Sequence, residues 1–229
     1  MPNRSTAYAA AGGAALFVIL FVVGFAIQPT ADVPNSGDSG LKVLQYAADN
    51  RGRLLVGLFL IACSALPFML LLGALHRLMR RAEGAGGWLS TAMVASGATS
   101  TGAFLVGAAL LATLAYRPVQ SPAVARMLMD AGFVTLNFSG IVVGAFVAAV
   151  SAAALLHRVL PAWVGWLGVP VAALQVVGGG ALARGDVAFS PQGAIPLIAA
   201  GVVAVWTLAL ALGLVMVARR GDRAAAAPA

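Results

Sequence analysis

The chain has 229 residues, of which 61% are apolar and only 9% charged, and its mean hydropathy is +0.96. So little polar surface cannot cover a water-soluble core of this length, which excludes an ordinary globular enzyme or binding module. The formal charge of +7 does not point to nucleic acid, because the basic residues sit in short clusters between apolar runs and not along one polar face.

Apolar runs of about 20 residues are long enough to cross roughly 30 Å of hydrocarbon. Such runs predict helices near 7–27, 54–76, 88–115, 132–157, 161–183 and 193–217. The first follows Arg4 and could pass for a signal peptide. Its core from Ala9 to Ile27 is too long for a signal h-region, so it is read as an uncleaved span.

After it comes a long loop with a turn-rich stretch from Pro34 to Gly40. Ser39 is placed to cap a short amphipathic helix carrying Leu41, Leu44, Ala47 and Ala48 on one face. A second long loop follows the third span. There Ser121 is placed to cap, and Val124, Met127 and Leu128 form the apolar face. The order span, long loop, short helix, span thus occurs twice, with starts about 80 residues apart at 7 and 88, as in a parallel repeat of helix pairs followed by a third pair. Two similar loops without duplication would look the same. Pro67, Pro170 and Pro196 fall inside spans, where bends are tolerated if neighbours satisfy the freed carbonyls. Residues 219–229 read as a disordered cytoplasmic tail. The fold class is all-α: a polytopic transmembrane bundle of about six spans forming one domain over residues 1–218, with short amphipathic helices in two outer loops.

Arginine and lysine collect on cytoplasmic flanks. With six spans, one side holds Arg4, Arg77, Arg80, Arg81, Arg158, Arg219, Arg220 and Arg223. The other holds Lys42, Arg51, Arg53, Arg117, Arg126 and Arg184, together with Asp32, Asp38, Asp49, Asp130 and Asp186. This predicts a bacterial inner-membrane protein with both termini in the cytoplasm. Trp88, Trp163 and Trp166 anchor two spans at the inner interface, and Tyr116 closes one at the outer interface. Trp206 falls mid-span and requires a packing explanation.

Little in the sequence speaks of chemistry. Cys63 is the single cysteine, so there is no intrachain disulfide and no CxxC motif. No Ser/His/Asp set, paired buried carboxylates, phosphate-cradling glycine loop or metal-ligand cluster is visible. His76 and His157 lie at cytoplasmic helix ends beside Arg77 and Arg158, where interfacial cations sit, which disfavours bis-histidine haem. Lys42, the single lysine, lies in a loop, which disfavours a retinal Schiff base. No cofactor and no metal is expected, and an enzyme is the less favoured reading. Proton pumping lacks the buried acids that relays use.

What remains are stripes of small and neutral polar residues. Ser96, Thr99, Ser100, Ala103 and Gly107 share a face of the third helix, and Asn137, Gly140, Gly144, Ala148 and Ser151 one of the fourth. Gly165, Gly168, Ala172, Gln175 and Gly179 share a face of the fifth. One reading is helix packing through Gly140, Gly144, Gly165 and Gly168, with Asn137 and Gln175 as interhelical hydrogen-bond donors. The other is an outward-facing cavity lined by Asn137, Gln175 and Ser100 beneath a charged mouth of Arg51, Arg53 and Asp130, with the arginines also able to contact lipid phosphates.

The run Leu160, Pro161, Ala162, Trp163, Val164, Gly165, Trp166, Leu167, Gly168 resembles a feature of small bacterial six-helix membrane proteins grouped as a domain of unknown function. The resemblance implies a six-span topology over residues 5–218 and brings no catalytic or binding residues with it. Three classes of function stand open. The first is binding or moving a lipid or small amphipathic molecule, and the second is a structural subunit, as a homo-oligomer or with a membrane partner protein. The third and least favoured is an intramembrane lipid-modifying enzyme. The bilayer is the expected surrounding, and no nucleic acid is expected.

Overall fold

The structure is a computed structural model describing residues 4–29, 33–35, 37–116, 121–180 and 194–226. Asp32, Arg117, Arg184 and Asp186 lie outside the described residues, as do the expected end of the fifth span at 181–183 and start of the sixth at 193.

The helices are α1 (Arg4–Ile27), α2 (Gly40–Asp49), α3 (Arg51–Cys63), α4 (Ala65–Glu83), α5 (Leu89–Tyr116), α6 (Pro122–Leu156), α7 (Ala162–Gly179) and α8 (Ala194–Ala226). Six stretches are long and apolar enough to cross a membrane: Ser5–Ile27, Arg51–Glu83, Leu89–Tyr116, Pro122–Leu156, Ala162–Gly179 and Ala194–Arg219. The protein is therefore an all-helical, multi-pass membrane bundle. Helix α8 continues to Ala226, so the tail expected from 219 begins as helix. The alanines there are the best helix formers, which favours continuation over coil.

The second span runs as two helices that meet at Ser64. Pro67 explains the interruption. It has no N–H to offer the carbonyl four residues back, at Cys63, and its ring crowds that oxygen. The Ser64 hydroxyl instead donates to the Ile61 carbonyl at 2.6 Å. Pro170 lies inside α7, which stays a single helix, and Pro196 lies in the first turn of α8.

The spans form a ring in chain order. Helix α1 packs on α3 and α4, α4 on α5, α5 on α6, α6 on α7 and α7 on α8, and α8 returns to α1. Each of the first two hairpins crosses on a pair of glycines: a Cβ on Gly24 would come within 2.7 Å of the Gly57 carbonyl, and one on Gly107 within 3.0 Å of the Gly132 carbonyl. Only hydrogen side chains permit such backbone approach. The two crossings fall in corresponding helices of the two span, loop, helix, span units.

A chain of aromatic contacts links five of the helices. Phe104 of α5 meets Phe21 of α1 at 5.8 Å between centroids, and Phe17 meets Phe68 of α4 at 5.1 Å. Phe68 meets Phe146 of α6 at 5.4 Å, edge-on, and Phe146 meets Trp206 of α8 at 6.1 Å. These separations suit aromatic pairing. Trp206 is thereby explained: it is buried in this layer, and its indole N–H donates to the Val164 carbonyl of α7 at 3.2 Å.

One face of the bundle carries a cap. Helix α6 has 35 residues, about 52 Å at ~1.5 Å per residue, so several turns stand beyond a ~30 Å hydrocarbon layer. Helix α2 lies against this extension. Val43 and Ala47 of α2 pack with Ala125 and Met129 of α6 and Leu114 of α5. The second short amphipathic helix of the sequence reading is thus the beginning of α6. Ser39 and Ser121 do cap, accepting from the backbone N–H of Lys42 and Val124. The buried faces match expectation in part: Ala47 is buried and Leu44 and Leu128 pack on the cluster, whereas Leu41, Ala48, Val124 and Met127 are exposed and Val43, Ala125 and Met129 take the centre of the seam. The cause is the tight approach at Gly40, where a Cβ would overlap the Pro122 carbonyl and which sets the rotation of α2 on α6. Arg126 ties the loop down, donating to the carbonyls of Asn35 at 2.7 Å and Asp38 at 3.2 Å.

Candidate functional site

The two stripes on α6 and α7 face each other, antiparallel, along their length. A Cβ on Gly140 would sit 3.3 Å from the Gln175 side-chain oxygen, and one on Gly144 3.0 Å from the Ala172 carbonyl. Gly165 lies against Leu155 and the Ser151 carbonyl, Gly168 against the Ser151 hydroxyl, and Gly179 against Ile141 and the Asn137 carbonyl. The small residues are needed because the helix axes come this close.

The α5 stripe goes elsewhere. Gly97 packs on Leu72 of α4, and Gly107 on Leu136 and Gly132 of α6. Ser100 donates to the Gly97 carbonyl of its own helix at 2.9 Å, while Thr99 is exposed. Helices α5 and α7 flank α6 on different sides, so the three stripes do not meet at one point.

Asn137, Gln175 and Ser100 are 7%, 5% and 4% exposed, closed in by neighbouring helices. Gln175 donates to the Ala199 carbonyl of α8 at 2.6 Å, and Asn137 to the Phe133 carbonyl at 2.8 Å. Polar groups in a low-dielectric layer must find partners. Here the partners are backbone carbonyls.

The charged residues expected at a cavity mouth sit on the cap face. Arg51 donates to the last carbonyls of α5, at Ala115 (3.2 Å) and Tyr116 (3.0 Å). Arg53 donates to the Ile27 carbonyl that ends α1, at 3.0 Å. Helix C-termini leave such carbonyls without intrahelical donors, and their dipole favours a cation. Asp130 pairs with Arg126 at 2.9 Å, steadying the guanidinium that holds the cap loop. Nearby, Lys42 and the Asn35 N–H both bond Asp38, holding its carboxyl below the usual aspartate range. Tyr46 donates to the Pro29 carbonyl at 3.0 Å, and burial pushes its phenol up.

At the opposite end of the bundle, the α6–α7 turn bears a shallow groove, open to the surroundings and lined by Leu155, Arg158, Leu160, Pro161, Ala162, Trp163 and Trp166. A second shallow groove on the α6–α7 surface meets it at Leu155 and is lined also by Ala148, Ser151, Ala152, Leu156, Val169 and Ala172. The first contains a guanidinium and two indoles, whereas the second is walled almost wholly by hydrocarbon. From Leu156 to Ala148 is about 12 Å of helix, close to the ~15 Å depth of one leaflet. Ala148, expected in the packing stripe, is exposed into this groove, and Trp163 and Trp166, expected as interface anchors, form its polar end. Most of the lining of the first groove thus comes from the distinctive residues 160–168. Sequence reading missed Arg158 as a site residue. Its only signal was a basic residue beside the tryptophans, and its backbone conformation, with φ of 52°, has no trace in residue type.

No family model, curated protein or solved structure matches this chain. Of the resemblance drawn from residues 160–168, the six candidate spans are present, and no family model identifies the chain.

Proposed function

We propose that the protein binds a lipid or small amphipathic molecule taken sideways from the bilayer, in the adjoining grooves between α6 and α7. One observation carries this reading: a groove lined by Arg158 and two indoles adjoins, at Leu155, one lined almost wholly by hydrocarbon, the polarity gradient of an amphipathic molecule standing in one leaflet. Two others support it over an outward-facing funnel. Phe68, Phe146 and Trp206 are packed in the buried core between the helices, and Asn137, Gln175 and Ser100 are buried and bonded to backbone carbonyls. In this reading the α6–α7 turn faces the cytoplasm of a bacterial cell, because Arg77, Arg80, Arg81 and Arg158 share that end. A thiol at Arg80→Cys in a Cys63→Ser background that labels from outside intact cells would reverse this orientation.

The binding itself is tested by photocrosslinking the full chain, in vesicles, to a phospholipid bearing a diazirine on its acyl chain. Peptides from 145–172 should dominate the adducts. Even labelling around all six spans would mean that the surface holds only ordinary annular lipid.

A further inference from the structure

The groove is electrically one-sided, and we infer from it that the occupant is a phospholipid with an anionic headgroup, its phosphate at Arg158 and one acyl chain along Ala152 and Ala148. This rests on the lateral-binding reading above and adds the ligand class. Among the described residues, the lining of the headgroup end includes one cation and no carboxylate. An ammonium headgroup would meet the like charge of Arg158, whereas a phosphate with no compensating amine is matched by it.

Two further features point the same way. Helix α7 begins at Ala162, inside this end, and its N-cap position is Pro161, which supplies no side-chain acceptor. An 18-residue helix therefore starts within the lining of this end, and the positive end of its dipole favours an anion there. Arg158 itself stands in the left-handed region just past the end of α6, a place usually given to glycine, where a side chain costs backbone energy. An arginine held there projects a charge from a position where a smaller residue would be more stable. Such strain is found where function requires it. Trp163 and Trp166 line the same end, and amphipathic rings of this kind are enriched at the headgroup level of a bilayer.

The test uses the full-length protein in mild detergent, offered equal amounts of phosphatidylglycerol and phosphatidylcholine with identical acyl chains, and native mass spectrometry to count retained lipid. The expected result is about a fivefold excess of phosphatidylglycerol adducts. Arg158→Gly should bring the two lipids to parity while thermal unfolding stays unchanged or rises, since glycine relaxes the left-handed backbone. Arg158→Lys should keep most of the preference. Ala152→Trp, or the more peripheral Val169→Trp if the first fails to fold, should lower retention of both lipids by blocking the chain. Equal retention of both lipids by the native chain, with the tryptophan variant lowering both, overturns the anionic assignment and leaves lateral binding standing. A preference that survives Arg158→Gly removes Arg158 as the headgroup site. Retention of neither lipid by the native chain overturns both readings.

Discussion

The α6–α7 seam makes its sharpest prediction at Gly168. A methyl added there would overlap the Ser151 hydroxyl and lie 2.9 Å from the Trp206 indole nitrogen. Overpacking of this kind costs about 1–3 kcal/mol, against which alanine gains about 1 kcal/mol over glycine in a helix. Gly102 on α5 supplies the control: it has no atom within 4 Å of its potential Cβ, so Gly102→Ala takes the gain without the collision. The two variants should therefore differ by about 1–3 kcal/mol, or roughly 2–12 °C in thermal unfolding for a chain of this size. Ser151→Ala alone should be nearly neutral, because its buried hydroxyl has no hydrogen-bond partner among the described residues. Combined with Gly168→Ala it should recover much of the loss. The recovery should be partial, since the Trp206 ring must still shift away from its bond to Val164. The measurement is unfolding in mild detergent of the four variants beside the native chain. If Gly168→Ala unfolds together with Gly102→Ala, or if removing the hydroxyl restores nothing, the described approach of α6 and α7 is wrong.

Three other outcomes follow from the same structure. Gly40→Val should detach α2 from α6, because its Cβ overlaps the Pro122 carbonyl; limited proteolysis between 33 and 50 should quicken while the six spans stay protected. Asp38 is held below its unfolded pKa chiefly by Lys42, so its contribution to seating the cap is present above about pH 4 and fades as pH falls through the lower folded value. Hydrogen-exchange protection of Gly40–Asp49 should therefore drop in acid in the native chain, and in Asp38→Asn it should lose that pH step. Gln175→Leu should destabilise by about 0.5–2 kcal/mol through loss of the bond to Ala199, while Ser100→Ala, whose hydroxyl returns to Gly97 of its own helix, should change unfolding little. An equal loss in both would show that the α7–α8 bond has no special weight.

Several features were legible because they depend on residue type alone. Runs of apolar residues must leave water, and length then decides whether a helix can span, so six spans could be read from Arg4 to Arg219 before any packing was known. Ser39 and Ser121 were readable as caps because a hydroxyl beside a helix start bonds locally. The glycine and alanine stripes on α6 and α7 were readable as a packing seam, since residues three and four apart share a helix face in any surroundings.

What depends on a neighbour was hidden. The sequence shows that Arg51 and Arg53 are charged near a span end, but not that the ends of α5 and α1 stand within their reach. It shows the apolar positions of the short helix, but not the rotation that the contact of Gly40 with Pro122 imposes, which turns Leu41 out and Val43 in. Phe17, Phe68, Phe146 and Trp206 are far apart in the chain and join into one layer only when α8 closes the ring on α1. The α6–α7 grooves likewise exist in neither helix alone: they are the space left beside the glycine seam and at the turn that joins the two helices, where Arg158 is part of the lining. Greasiness and periodicity belong to a segment and survive any arrangement, whereas contact, rotation and concavity belong to pairs of segments and arise only on assembly.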